Sequence, residues 1–236
     1  MIGRLLTTDF LKIKRKGIWF LTFLGPFGVV AMQMVNYGVR KDYLLQQSED
    51  NWGYYLLNVS GFTPLALVLG IAILTSFMAS IENETNAWKQ LISLPVSKMS
   101  IYLSKFIVLA CLLWISSLIL MVLTLSYGIF LDLGDSIPFF ELIKYSFYPY
   151  FAVLPILALQ LWIATVSRNQ GIPITTGVLG VIFTYSAYKL PDWMIWKWPS
   201  LMNEWGEPIV NVMLGVAVGC ILYVVGMVDF TRRDVE

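Results

Sequence analysis

The stretch LVLGIAILTSFMASI, Leu67–Ile81, decides the fold. It carries no charge, and its apolar residues run on without alternating with polar ones. A lipid-facing β-strand would alternate every second residue over about 10 residues. A continuous run reads as helix, and in lipid an α-helix satisfies its backbone polar groups within its own segment. Extended to the nearest charges, the stretch becomes Gly53–Ile81. Five further stretches contain no Asp, Glu, Lys or Arg: Gly17–Val39, Phe106–Leu131, Tyr145–Ser167, Asn169–Tyr188 and Ile209–Val228. Each of the six has 20 or more residues. A crossing helix needs about 20 to span roughly 30 Å of hydrocarbon.

The sequence therefore predicts an all-α membrane protein with six transmembrane helices. They fall near residues 18–38, 57–81, 102–128, 146–167, 171–189 and 208–228, in one transmembrane domain over 1–236. The first run is too long for a secretory signal peptide and lacks a small-residue cleavage site, so it reads as an uncleaved anchor.

Composition agrees. Apolar residues make up 58% of the 236 and charged residues 13%, with a mean hydropathy of +0.71. Soluble domains carry about 25% charge. So little charge cannot cover the outside of a soluble monomer, and so much apolar surface excludes a disordered chain. There is no histidine. Ser-His-Asp and Cys-His catalytic sets and His-ligated zinc sites are excluded. The cysteines, Cys111 and Cys220, both lie inside apolar runs and read as small hydrophobes. A net charge of +1 offers no field for nucleic acid. No ionisable residue is expected inside a span, which argues against proton relays and voltage sensors.

Charge sets the orientation. With the N-terminus cytoplasmic, the inner segments hold eleven Lys and Arg and the outer ones five, as the positive-inside bias requires. Both termini then lie in the cytoplasm. The opening MIGRLLTTDFLKIKRKG places Ile2, Leu5, Leu6, Phe10 and Ile13 at near-helical spacing. Residues 1–16 read as an amphipathic helix at the inner leaflet, with Asp9, Lys12, Lys14 and Arg15 among its polar positions.

The most informative connection is IENETNAWKQLISLPVSKMSIYLSK, residues 81–105. After the acidic start at Glu82 and Glu84, Trp88, Leu91 and Ile92 form an i, i+3, i+4 stripe. Leu94-Pro95 ends that helix, because the residue before proline avoids the helical region. Ser97 or Ser100 can cap the next one. A short cytoplasmic helix is thus expected between spans two and three. Its exposed Trp88 needs lipid or a protein to cover it.

This stretch, with Glu82-Asn83-Glu84, Trp88-Lys89, Ser93-Leu94-Pro95-Val96-Ser97-Lys98, Tyr102 and Lys105, resembles the permease subunits of ABC-2-type transporters. More narrowly it looks like the six-span permeases of lantibiotic and bacitracin immunity. The opening Leu5–Leu21 is similar to theirs as well, with Asp9 where that family usually has Glu. The resemblance implies that Glu82, Glu84, Trp88, Lys89, Leu91, Leu94 and Pro95 form a coupling helix docking on a separate ABC ATPase. It implies two ATPase copies, a second permease chain (identical or paralogous) and a bacterial plasma-membrane location. No G-x-x-x-x-G-K-[ST] loop occurs in the chain. ATP and magnesium are therefore expected on the partner, and this chain is expected to bind no cofactor or metal.

The outer segment Leu190–Glu207 carries Trp193, Trp196, Trp198 and Trp205. It reads either as an aromatic belt at the headgroups or as a short interfacial helix gating the exit. Gly215-x-x-x-Gly219 is a weak signal for a helix–helix or dimer contact. The reading that joins these features is a permease expelling an amphipathic antimicrobial peptide. The alternatives are an ABC-2 permease for another amphipathic or ionic cargo, and a polytopic membrane enzyme.

Overall fold

A computed structural model describes residues 2–14, 17–84, 97–167, 169 and 171–232. Among them there are only helices and turns. In chain order the helices are α1 (Ile2–Lys14), α2 (Ile18–Leu45), α3 (Asn51–Glu84), α4 (Lys98–Phe130), α5 (Phe139–Ala152), α6 (Leu154–Val166), α7 (Gly171–Tyr185) and α8 (Pro208–Arg232). Two 3₁₀ turns, Ala187–Lys189 and Trp198–Ser200, lie between α7 and α8.

Five of the helical stretches are long and apolar enough to cross a membrane: α2, Asn51–Ile81 of α3, α4, α5 with α6 taken together, and α8. The fifth expected span, residues 171–189, is shorter. α7 has 15 residues, or about 22 Å at 1.5 Å per residue. It stops at Tyr185 and not at the expected residue 189. A 3₁₀ turn follows, and Leu190, extended at ψ 144° ahead of Pro191, ends the helical stretch.

The fourth run also differs from its expected form. Its helix begins at Phe139, before the predicted 146, and breaks at Val153 into α5 and α6. Pro155 supplies no N–H to the carbonyl of Phe151, so the ladder cannot run through. Elsewhere the helices overrun the charge-free stretches, to Leu45, Glu84 and Arg232. Loss of charge marks where lipid begins, whereas backbone hydrogen bonding continues beyond it.

Local chemistry sets several ends. Ser97, with extended φ −67° and ψ 139°, accepts the Ser100 N–H at 3.2 Å and caps α4, as its position predicts. Gly17 takes φ 73° ahead of α2, a left-handed conformation that glycine adopts without strain. Arg40 leaves the helical region (φ −134°, ψ 32°) and kinks α2.

α3 is central, touching α2, α4, α5, α6 and α7. The most apolar windows of α3 and of α5–α6 are 61% buried, against 22% for α8. The remaining faces, with Phe20, Val35, Val178, Ile182, Met213 and Ile221, are apolar and exposed. Inside a bilayer lipid covers them, which places the chain's apolar surplus.

Close approach depends on small residues. A Cβ at Gly215 would lie 2.5 Å from Ala152 Cα, and one at Gly219 3.0 Å from Leu154 Cβ. The Gly215-x-x-x-Gly219 pair therefore packs α8 onto the α5–α6 break within one chain. Gly177 likewise brings α7 against Ala72 of α3. Two buried clusters result. One, around Ile71, Leu112, Leu157 and Phe230, lies toward α1. The other, around Tyr37, Trp52, Tyr55 and Tyr127, lies toward the opposite end.

Candidate functional site

The bundle has two polar ends and an apolar groove between them. At the end carrying α1, Leu5, Leu6, Phe10 and Ile13 turn inward, with Ile13 1% exposed. The expected amphipathic helix is present, but Asp9 does not lie on its solvent face. It is 8% exposed, and its carboxylate accepts the Ser104 hydroxyl of α4 at 2.7 Å. Lys105, the next residue, is 2% exposed. Asp9, Lys12 and Lys105 line one small cavity with Ile13, Met78 and Ile81.

The ionisable groups at this end lie just outside the charge-free stretches. Lys105 belongs to α4 and Asp229 to α8. Asp229 accepts the Trp162 indole N–H at 2.8 Å, and Lys98 donates to the Thr231 carbonyl at 3.4 Å. Buried charge is tolerated where neighbouring helices supply partners. Tyr102, fully buried between these helices, packs against Tyr223 and Phe230 at ring distances of 5.6 and 5.5 Å.

Of the expected coupling residues, Trp88, Lys89, Leu91, Leu94 and Pro95 lie outside the described residues, as do the side chains of Glu82 and Glu84. So do Arg15 and the side chain of Lys14. The two stems of that connection are described: α3 ends at Glu84 and α4 begins at Lys98. The α4 stem packs on α1, and both stems line the cavity beside Asp9.

The Trp-rich segment at the opposite end is not a short helix, one of the two forms its sequence allows. It is a compact loop of turns with one 3₁₀ turn, Trp198–Ser200. Lys197 pairs with the Asp192 carboxylate at 2.5 Å, and the Glu204 N–H donates to the same group at 2.9 Å. These two partners, Lys197 first, hold the Asp192 carboxyl below the usual carboxylate range. Trp198, 4% exposed, donates to the Asp192 carbonyl at 2.6 Å. Asn211 of α8 donates to the carbonyls of Trp198 and Met202. The 3₁₀ turn rests on α3, α5 and α8.

The four tryptophans therefore divide. Trp198 is a buried anchor, and Trp196 stacks on Phe183 of α7 at 5.4 Å and covers Gly180. Trp193 and Trp205 point outward, 75% and 60% exposed. Trp193 and Trp196 fall at i, i+3 spacing and Met194 and Trp198 at i, i+4, but Pro199 prevents a continuous helix through to Trp205.

Between the ends, α2 and α3 part to form a groove of about 310 Å³, lined by Gly25, Gly28 and Met32 of α2, Phe62 and Gly70 of α3, and Val181 of α7. No charged residue lines it. An extended apolar chain fits such a lining and an ion does not.

Sequence reasoning missed Ser104 and the Asp192–Lys197 pair. Tyr102 and Lys105 were visible as fixed points of the motif, though not as buried groups. Asp229 had served only to mark the end of a charge-free run.

In comparisons with known proteins, the family model described as ABC-2 family transporter protein matches residues 5–186. No curated protein and no solved structure matches.

Proposed function

Because the chain belongs to the ABC-2 family of transporter proteins, we propose that it is the permease subunit of an ATP-driven exporter whose cargo is an amphipathic, membrane-active peptide. The family match over residues 5–186 carries the permease half of this reading. No phosphate-binding loop occurs in the sequence, so ATP and magnesium belong to a separate ABC ATPase in two copies. The coupling helix that receives the ATPase is assigned to Glu82, Glu84, Trp88, Lys89, Leu91, Leu94 and Pro95. With six crossings, α7 the short one, both termini share a side, and the Lys and Arg excess on that side supports the cytoplasm of a bacterial cell.

The α2–α3 groove supports the choice of cargo. It opens sideways from a face of exposed apolar side chains, including Phe20, Leu24 and Met32. A second permease chain facing it would enclose a pathway entered from the membrane. The Trp-rich loop closes the outer end of this pathway and acts as its gate.

Two experiments test the halves separately. A tagged chain, co-expressed with the ABC ATPase encoded beside it, should retain that ATPase through purification. Loss of the ATPase at every expression ratio would rule the permease reading out. For the cargo, the pair should raise the dose of a membrane-active lantibiotic that a sensitive bacterium survives. Replacing Trp193, Trp196 and Trp198 by Ala should abolish that protection at unchanged membrane levels. Full protection by the triple variant would sink the gate.

A further inference from the structure

We infer that Asp9 is a positioning residue: its bond to Ser104 locks α1 to the start of α4, so that α1 moves with the stems of the coupling connection. The inference rests on the permease reading above. An apolar stripe alone would hold α1 at the bundle with little preference for register, because hydrophobic contact is non-directional. A carboxylate on that stripe is costly unless it is satisfied. Asp9 is such a carboxylate, nine-tenths buried, and it is the only acid in α1. Its 2.7 Å bond to a hydroxyl with no exposure is short and directional.

The position of the bond gives it a consequence. The cavity beside Asp9 is bounded by Met78 and Ile81 in the last turns of α3, and by Lys105 in α4. One point on α1 thus bonds to one stem, α4, and faces a cavity shared with the other, α3, of the connection that spans residues 85–96. Three residues past α1, the chain enters α2 at Ile18, where Leu21, Leu24 and Gly25 line the groove. A displacement of the stems has a short covalent route through α1 to the groove wall. An unlocked α1 would still lie on the bundle and would no longer follow the stems.

The test uses the full chain in lipid nanodiscs, alone and with the ABC ATPase encoded beside it. Amide hydrogen exchange over residues 2–14 is followed for the wild type, Asp9→Ala, Ser104→Ala and Asp9→Glu. The two alanine variants should exchange about tenfold faster or more in that segment, with residues 208–232 unchanged. They should retain the ATPase but lose most of the rise in ATP hydrolysis that the permease confers. Asp9→Glu, which keeps the acceptor, should restore both. Unchanged exchange in Asp9→Ala would overturn the lock. Faster exchange with a full rise in hydrolysis would overturn its coupling role. A wild type that binds no ATPase would instead overturn the permease reading and the coupling role with it, while the exchange data still decide the Asp9–Ser104 bond.

Discussion

At the α1 end, Asp9 reaches Ser104 across 95 positions, Trp162 reaches Asp229 across 67, and Lys98 reaches the Thr231 carbonyl across 133. In the Trp loop, Trp198 bonds to Asp192 across 6 positions, Glu204 to Asp192 across 12, and Asn211 to Trp198 across 13. Bonds of the first kind tie separate helices together. Those of the second kind close a loop on itself and on the helix that follows it. The α1 end is therefore built to pass displacement between elements, and the Trp loop to move or hold as one piece.

The two ends share the contact of α8 with the α5–α6 break, so a change there should disturb both. Gly215→Val sets side-chain atoms where the Ala152 backbone already lies. Overpacking of this kind costs about 3 kcal/mol. Thermal unfolding in detergent should show a lower midpoint, with tryptophan emission at the loop and exchange in α1 shifting together. Independent shifts would break the idea of a shared frame.

Asp9→Ala should have the next largest effect. A hydrogen bond to a charged group is worth about 2 kcal/mol, and its loss should spread to α4 while leaving the Trp loop intact. Acrylamide quenching of tryptophan in Asp9→Ala should match the wild type. Increased quenching would mean that the ends are not separable.

Asp192→Asn should act only at the loop, and its signature is pH dependence. The folded carboxyl titrates below its unfolded value, so its contribution is present above the unfolded range and is lost as pH falls through the folded pKa. Wild-type loop fluorescence should hold at neutral pH and change only below the ordinary Asp value of about 3.9. Asp192→Asn should lack that acid step. A step surviving in the variant would assign it to another group.

The smallest effect is expected at Glu141–Lys144 on α5, an i, i+3 pair at 3.1 Å with side chains 39% and 22% exposed. Glu141→Ala should change stability by less than about 0.5 kcal/mol. A larger loss, read by the same melting experiment, would make this exposed pair part of the outer framework.

Much of this contrast could not be read from the sequence. Charge-free runs located the apolar helices because lipid excludes charge over a fixed thickness, and a one-dimensional pattern can record that. Ser97 was legible as a cap because capping is local. The break at Val153 was less so: Pro149 and Pro155 announced a kink, but Gly215 and Gly219, about 60 positions away, are what pack against it. Asp9 looked like a polar residue on a helix whose other charged positions are basic, and only the approach of Ser104 reveals it as buried. The Trp loop was less legible because Trp193 and Trp196 fall at helical spacing, while Pro199 and the Asp192–Lys197 pair accompany turns.

The most direct test of the central claim is ATP hydrolysis by the co-purified ATPase in lipid, measured with wild-type permease, Trp88→Ala and Glu84→Ala. Hydrolysis should rise when wild-type permease is present, and the rise should be lost in both variants along with binding. Binding and stimulation that survive both substitutions would contradict the coupling assignment, and ATP hydrolysis by this chain alone would contradict the permease account altogether.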